Sequence, residues 1–75
     1  MNLYILNGVL NDYTSGMCVI AAESKIDCEQ IFMEEFAPSE FRKKELQNEF
    51  NEAEIKVIEN VDYPAGLVSY VYGGG

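Results

Sequence analysis

Asn2-Leu3-Tyr4-Ile5-Leu6-Asn7-Gly8-Val9-Leu10, then Asn11-Asp12-Tyr13-Thr14-Ser15-Gly16, then Met17-Cys18-Val19-Ile20-Ala21-Ala22 is the stretch on which the fold turns. In its first run Leu3, Tyr4, Ile5, Leu6, Val9 and Leu10 put apolar side chains at both parities. Valine, isoleucine and tyrosine favour extended backbone, so this run predicts a strand buried on both sides. The middle run gathers turn formers: Asp12 and Ser15 can bond nearby backbone, and Gly16 can take positive φ. Met17 to Ala22 is apolar again and of strand length, so the whole stretch predicts a β-hairpin with a long connection.

Working outward, Ser24 followed by Asp27 marks a helix start, because the hydroxyl can accept from a free amide and the carboxylate favours the positive end of the helix dipole. A helix from Lys25 to Phe36 follows, with Cys28, Ile31, Phe32 and Phe36 as its inward stripe and Glu29, Glu34 and Glu35 toward water. Pro38 ends it. Ser39 to Ala53 is rich in helix formers, but Phe41, Leu46 and Phe50 make no clean stripe, so a shorter helix or a helix pair is expected there. Arg42, Lys43 and Lys44 alternate in it with Glu40, Glu45, Glu49 and Glu52 at spacings that allow i,i+4 pairs.

Glu54 to Asn60 alternates, with Ile55 and Val57 on one face, and predicts a third strand. Asp62-Tyr63-Pro64-Ala65-Gly66 is a turn. Leu67 to Tyr72 is a fourth strand, with Leu67, Ser69 and Val71 on one face and Val68, Tyr70 and Tyr72 on the other. Residues 1–75 thus read as a single α+β domain: a small four-stranded sheet, antiparallel or mixed, in ββ-helix-ββ order with helix on one face. Strands one, two and four are apolar on both faces, yet the chain has helix enough for one. The other face is expected to meet a second copy or a partner, making the chain a homo-oligomer or a subunit of an assembly.

Composition narrows function. Thirteen acidic residues against five basic ones, with no histidine, give a net charge of −8. Such a chain is repelled by phosphate backbones and anionic membranes, so neither nucleic acid nor membrane is expected as a direct partner. Its complement is a basic protein surface, although acidity can equally serve solubility alone. Cys18 and Cys28 form no C-x-x-C pair, and no metal or other cofactor is implied; they are buried small hydrophobes in a reducing compartment or one disulfide. With no leader-like or membrane-length segment in view, the sequence reads as cytoplasmic.

Catalytic patterns are missing from the sequence: no nucleophile stands beside a base, no glycine-rich loop links strand to helix, and Glu34 and Glu35 point different ways on a helix. An enzyme is not expected. Two places offer contacts instead. Glu29, Glu34, Glu35, Glu45 and Glu49 are the candidates for an acidic partner-binding face. Asp12, Tyr13, Thr14, Ser15 and Gly16 in the hairpin loop, with Tyr70, Tyr72, Gly73, Gly74 and Gly75 at the end, are the candidates for a ligand or interface loop; an ordinary turn fits the loop as well. Unshielded glycine amides suit an anion.

In its ββ-helix-ββ order, small size and closing glycines the chain resembles the ubiquitin-like β-grasp proteins, including the sulfur carriers of thiamin and molybdopterin synthesis. That resemblance implies a terminal carboxylate activated by adenylation, with Gly74 and Gly75 as the side-chain-free tail. Three glycines directly after Tyr72, where two suffice, depart from the pattern. In character, the acidic single domain opening Met1-Asn2-Leu3-Tyr4-Ile5-Leu6 and ending Tyr72-Gly73-Gly74-Gly75 also resembles small phage or prophage-encoded accessory proteins, among them inhibitors of host defence such as anti-CRISPR proteins. This second resemblance implies a non-catalytic inhibitor that blocks a host factor through an acidic surface, or sequesters a nucleotide-like ligand between subunits.

Overall fold

A computed structural model describes residues 1–74. The hairpin strands β1 (Asn2–Val9) and β2 (Gly16–Ala22) lead into helix α1 (Lys25–Phe36). A single 3-10 turn (Glu40–Arg42) runs straight into α2 (Lys43–Glu52), and β3 (Glu54–Ile58) and β4 (Gly66–Val71) close the order. The protein is an α+β domain whose four strands form one sheet in the order β3-β1-β2-β4. Every neighbouring pair is antiparallel, so the mixed-sheet option falls away.

Local chemistry explains the boundaries. The Ser24 hydroxyl accepts from the Asp27 amide at 3.2 Å and caps α1. Helix α1 lays Cys28 and Phe32 on the sheet, with Ile31 and Phe36 half-buried beside them. Where a shorter helix or a helix pair was expected, one 3-10 turn leads into a ten-residue helix, and the missing stripe has its reason: Leu46 and Phe50 face inward one turn apart in α2, whereas Phe41 sits on the 3-10 turn and is 93% exposed. The ion pairs here are i,i+3, Arg42 with Glu45 at 2.9 Å and Lys43 with Glu40 at 3.6 Å.

The core lies between the helices and one face of the sheet. Tyr4, Leu6, Cys18 and Ile20 supply its floor, and Phe32, Leu46 and Phe50 its roof. Phe32 is fully enclosed, with ring centroids 5.3 Å from Phe36 and 5.5 Å from Phe50. Cys18 and Cys28 are free thiols within this core; burial, foremost, pushes both up to about 12.

Two irregularities correct the sequence reading. In β4 the register with β2 skips Val68, so Ile20 pairs with Leu67 and Cys18 with Tyr70. This extra residue is a β-bulge, and it puts Leu67 and Tyr70 on the same face where strict alternation would separate them. In β1 the skipped residue is Gly8 at φ +88°, a conformation suited to glycine. Beyond it Val9 and Leu10 are both buried. The expectation that β1 is buried on both sides holds for one face only: Tyr4 and Leu6 are enclosed, while Leu3 and Ile5 are partly open and Asn7 is exposed. Both helices lie on the same side of the sheet, and among the described residues no helix covers the other.

Candidate binding surfaces

Two surfaces gather the residues singled out above. The first is the exposed surface of α1, from which Glu34 and Glu35 project in different directions. Glu34 and Glu35 are exposed there and make no hydrogen bond or ion pair among the described residues. Glu34 also lines an open cavity of about 300 Å³, together with Glu23, Asp27 and Gln30, and with Met1, Ala22, Ile31 and Ala65 completing its walls. Asp27 and Glu34 are seven residues apart, two helical turns, so the i, i+7 spacing already carried this pairing in the sequence. Among the described residues no cluster of acidic, cysteine or histidine side chains is close enough to hold a metal ion.

The other three acidic candidates are engaged within the chain. Glu29 Oε2 accepts from Gln47 Nε2 at 2.6 Å and ties α1 to α2. Glu45 is held by the Arg42 guanidinium, whose hydrogen bond draws the Glu45 carboxyl below the usual carboxylate range and raises Arg42 above its own. Both groups are exposed, so this pair adds little to stability. Glu49 Oε1 accepts from the Leu10 amide at 2.8 Å, across 39 residues of sequence. Leu10 has φ +54°, the left-handed region that a branched side chain disfavours, and is buried. Glu49 thus fastens a strained strand end to α2, a role that its place on an acidic helix did not disclose.

The second surface joins the hairpin loop to the glycine end, two stretches 60 residues apart that the fold brings into contact. The Gly73 amide donates to the Leu10 carbonyl at 3.0 Å. The Gly74 amide donates to Thr14 Oγ1 at 2.9 Å, and that hydroxyl donates in turn to the Gly74 carbonyl at 3.0 Å. Glycine is required for this approach: a Cβ on Gly73 would overlap the Thr14 carbonyl, and one on Gly16 would overlap backbone from Val9, Val71 and Gly73. Gly75 lies outside the described residues.

This docking bears on both ligand ideas. The amides of Gly73 and Gly74, and that of Asp12, which donates to the Thr14 carbonyl at 3.1 Å, are spent on internal partners and do not point at an anion. A carrier tail has to leave the body to enter an activating enzyme, whereas Gly73 and Gly74 are fastened by two hydrogen bonds to Thr14 of the loop and one to Leu10. Asp12, Tyr13 and Ser15 stay exposed at the tip, with Tyr13 86% open. Tyr70 and Tyr72 stand over Phe36 in a three-ring cluster with centroids 5.4 to 6.2 Å apart and near-perpendicular planes. Alternation already set Tyr70 and Tyr72 on one face; the bulge at Val68 is what puts that face on the same side as Leu67 and the helices.

No described helix is long and apolar enough to cross a membrane. Compared with family models, curated proteins and solved structures, the chain matches none of them.

Proposed function

We propose that this chain is a non-catalytic binding protein that docks the acidic side of α1 on a basic protein surface. The observation that carries the reading is the state of Glu34 and Glu35: both are exposed with no hydrogen bond or ion pair among the described residues, and Glu34 stands with Glu23 and Asp27 at an open cavity. Such a recess suits one lysine or arginine of a partner, its methylene stem against Ala22 and Ile31 and its charged head among the carboxylates. Cys28 and Phe32 fasten α1 to the core on the side away from Asp27 and Glu34. The similarity in character to phage-encoded accessory proteins makes a host defence factor with a basic groove the first class of partner to test.

Affinity capture from the native host is the test, run with three forms of the protein. Glu34→Lys/Glu35→Lys removes the proposed contacts. Glu52→Lys/Glu59→Lys makes the same change in net charge at two exposed acids elsewhere. A partner retained by the wild type and by the second variant, but lost by the first, supports the reading. Equal loss in both would reduce it to bulk charge, and retention by both would remove α1 from the interface.

A further inference from the structure

The helices cover the face of the sheet that bears Tyr4, Leu6, Cys18 and Ile20. Alternation along the paired strands sends Leu3 and Ile5 of β1, Met17 and Val19 of β2, Ile58 of β3 and Val71 of β4 to the other face. An antiparallel sheet with one solvated face normally carries polar residues there. Here six apolar side chains stand among Asn7, Glu54, Lys56 and Ser69; Ile58 and Val71 are 47% and 58% exposed, Leu3, Ile5, Met17 and Val19 are half-buried, and Ala21 on the same face is enclosed. Single exposed apolar residues are ordinary, whereas a contiguous apolar patch marks an interface.

Charge selects the occupant. Two copies of a chain with net charge −8 repel each other over most of their surfaces. Among the strand residues of the open face only Glu54 and Lys56 are charged, so this face is neutral where the rest of the molecule is acidic. A basic partner gains nothing by choosing it over α1. A second copy can approach nowhere else at so low an electrostatic cost.

The two charges are also self-complementary. Glu54 pairs in register with Asn7, and Lys56 with Ile5. A two-fold axis lying across the strands between these two registers sets Glu54 of each copy over Lys56 of the other, and Met17 over Val19.

We infer that the open face binds a second copy of this chain, sheet on sheet, about such an axis. The face is small: four strands about 4.8 Å apart and five residues long at about 3.3 Å each give a projected area of roughly 300 Å². Even with side-chain relief this falls short of the ~800 Å² per partner of a standard stable interface. The dimer is therefore a weak one, sensitive to conditions. Salt strengthens it, because screening relieves the repulsion between two copies at −8 more than it weakens two close ion pairs.

Sedimentation equilibrium of the full chain tests this, over roughly 5 to 500 µM, a span suited to a weak dimer. The measurement is made at two ionic strengths and on two variants, Glu54→Lys and Lys56→Glu. Both positions are exposed on an edge strand, and far-UV circular dichroism verifies that each variant is folded. The wild type is expected to pass from monomer to dimer, more readily at high salt. Each variant alone is expected to dimerise at least about tenfold more weakly, and an equimolar mixture of the two to recover a heterodimer through restored Lys–Glu pairs. A wild type that stays monomeric at the highest concentration overturns the inference. So does dimerisation undisturbed in both variants, which would place the contact at the uncharged β4 edge, or a mixture that remains monomeric.

Discussion

Replacing Glu49 by alanine should destabilise the protein although the side chain lies on a polar helix surface. The Glu49 carboxylate is the acceptor for the Leu10 amide at 2.8 Å, and Leu10 is buried at φ +54°. A hydrogen bond to a charged group contributes about 1.5–3 kcal/mol, and a buried amide left without an acceptor costs about 1–3 kcal/mol. Leucine in the left-handed region already carries about 1–2 kcal/mol of strain, part of which is released if the strand end loosens. The net loss expected for Glu49→Ala is therefore about 2 kcal/mol, a substantial share of the roughly 4–11 kcal/mol typical of a domain this size. Glu49→Gln keeps an oxygen acceptor and should lose about 1 kcal/mol or less. Glu34→Ala makes the same change in net charge at an unpaired site and should stay within about 0.5 kcal/mol of wild type. Urea unfolding followed by circular dichroism gives the three values, and amide exchange at Leu10 reports the bond itself. If Glu49→Ala and Glu34→Ala unfold at the same midpoint, the bond contributes nothing and the reasoning fails.

Three further outcomes are expected. Gly73→Ala should detach the terminal segment from Thr14, because its Cβ would overlap the Thr14 carbonyl, whereas Gly74→Ala, with open space around it, should not; loss of protection at the Gly73 and Gly74 amides in the first variant alone is the check. Phe32→Ala should cost about 3–5 kcal/mol, as for other large aromatic truncations in a close-packed core, and leave the domain largely unfolded in mild denaturant. The buried thiols should make the fold alkali-sensitive. Cys18 and Cys28 stay protonated in the folded state up to about 12, against an ordinary value of 9.0, so unfolded chains lose thiol protons first as pH rises. Stability from this source is complete below pH 9 and declines by up to about 1.4 kcal/mol per thiol per pH unit above it, until the folded thiols titrate too. Denaturation midpoints for wild type and Cys18→Ala/Cys28→Ala across pH 7 to 11 test the sign, since the double variant should show the flatter profile; parallel profiles would refute it.

How far the sequence disclosed this molecule depends on which signals are local. The hairpin and α1 were legible because period, turn residues and the Ser24 cap all act within a few residues of one another, and α1 spans Lys25–Phe36 as its pattern predicts. The open face was legible as a surplus, since β1 and β2 carry apolar residues at both parities and the chain has helix for one face. The facing of β4 was not, because one bulged residue, Val68, inverts the parity of everything beyond it. Among the acidic candidates, composition could not tell a free carboxylate from a structural one. Glu29, Glu45 and Glu49 differ from Glu34 and Glu35 only through partners, and those of Glu29 and Glu49 are 18 and 39 residues away. The contact between Thr14 and Gly74 is equally non-local, and only the completed sheet brings those residues together.

The acidic docking surface is the centre of the account, and the salt dependence of the complex tests it most directly. Once the partner is captured, its affinity for the wild-type chain is measured from low to moderately high ionic strength, where the screening length shrinks from roughly 14 Å to about 5 Å. Attraction carried by Glu34, Glu35 and the carboxylates beside them predicts at least about a tenfold loss of affinity over that range, most of it absent in Glu34→Lys/Glu35→Lys. An affinity that does not change with salt would contradict the account.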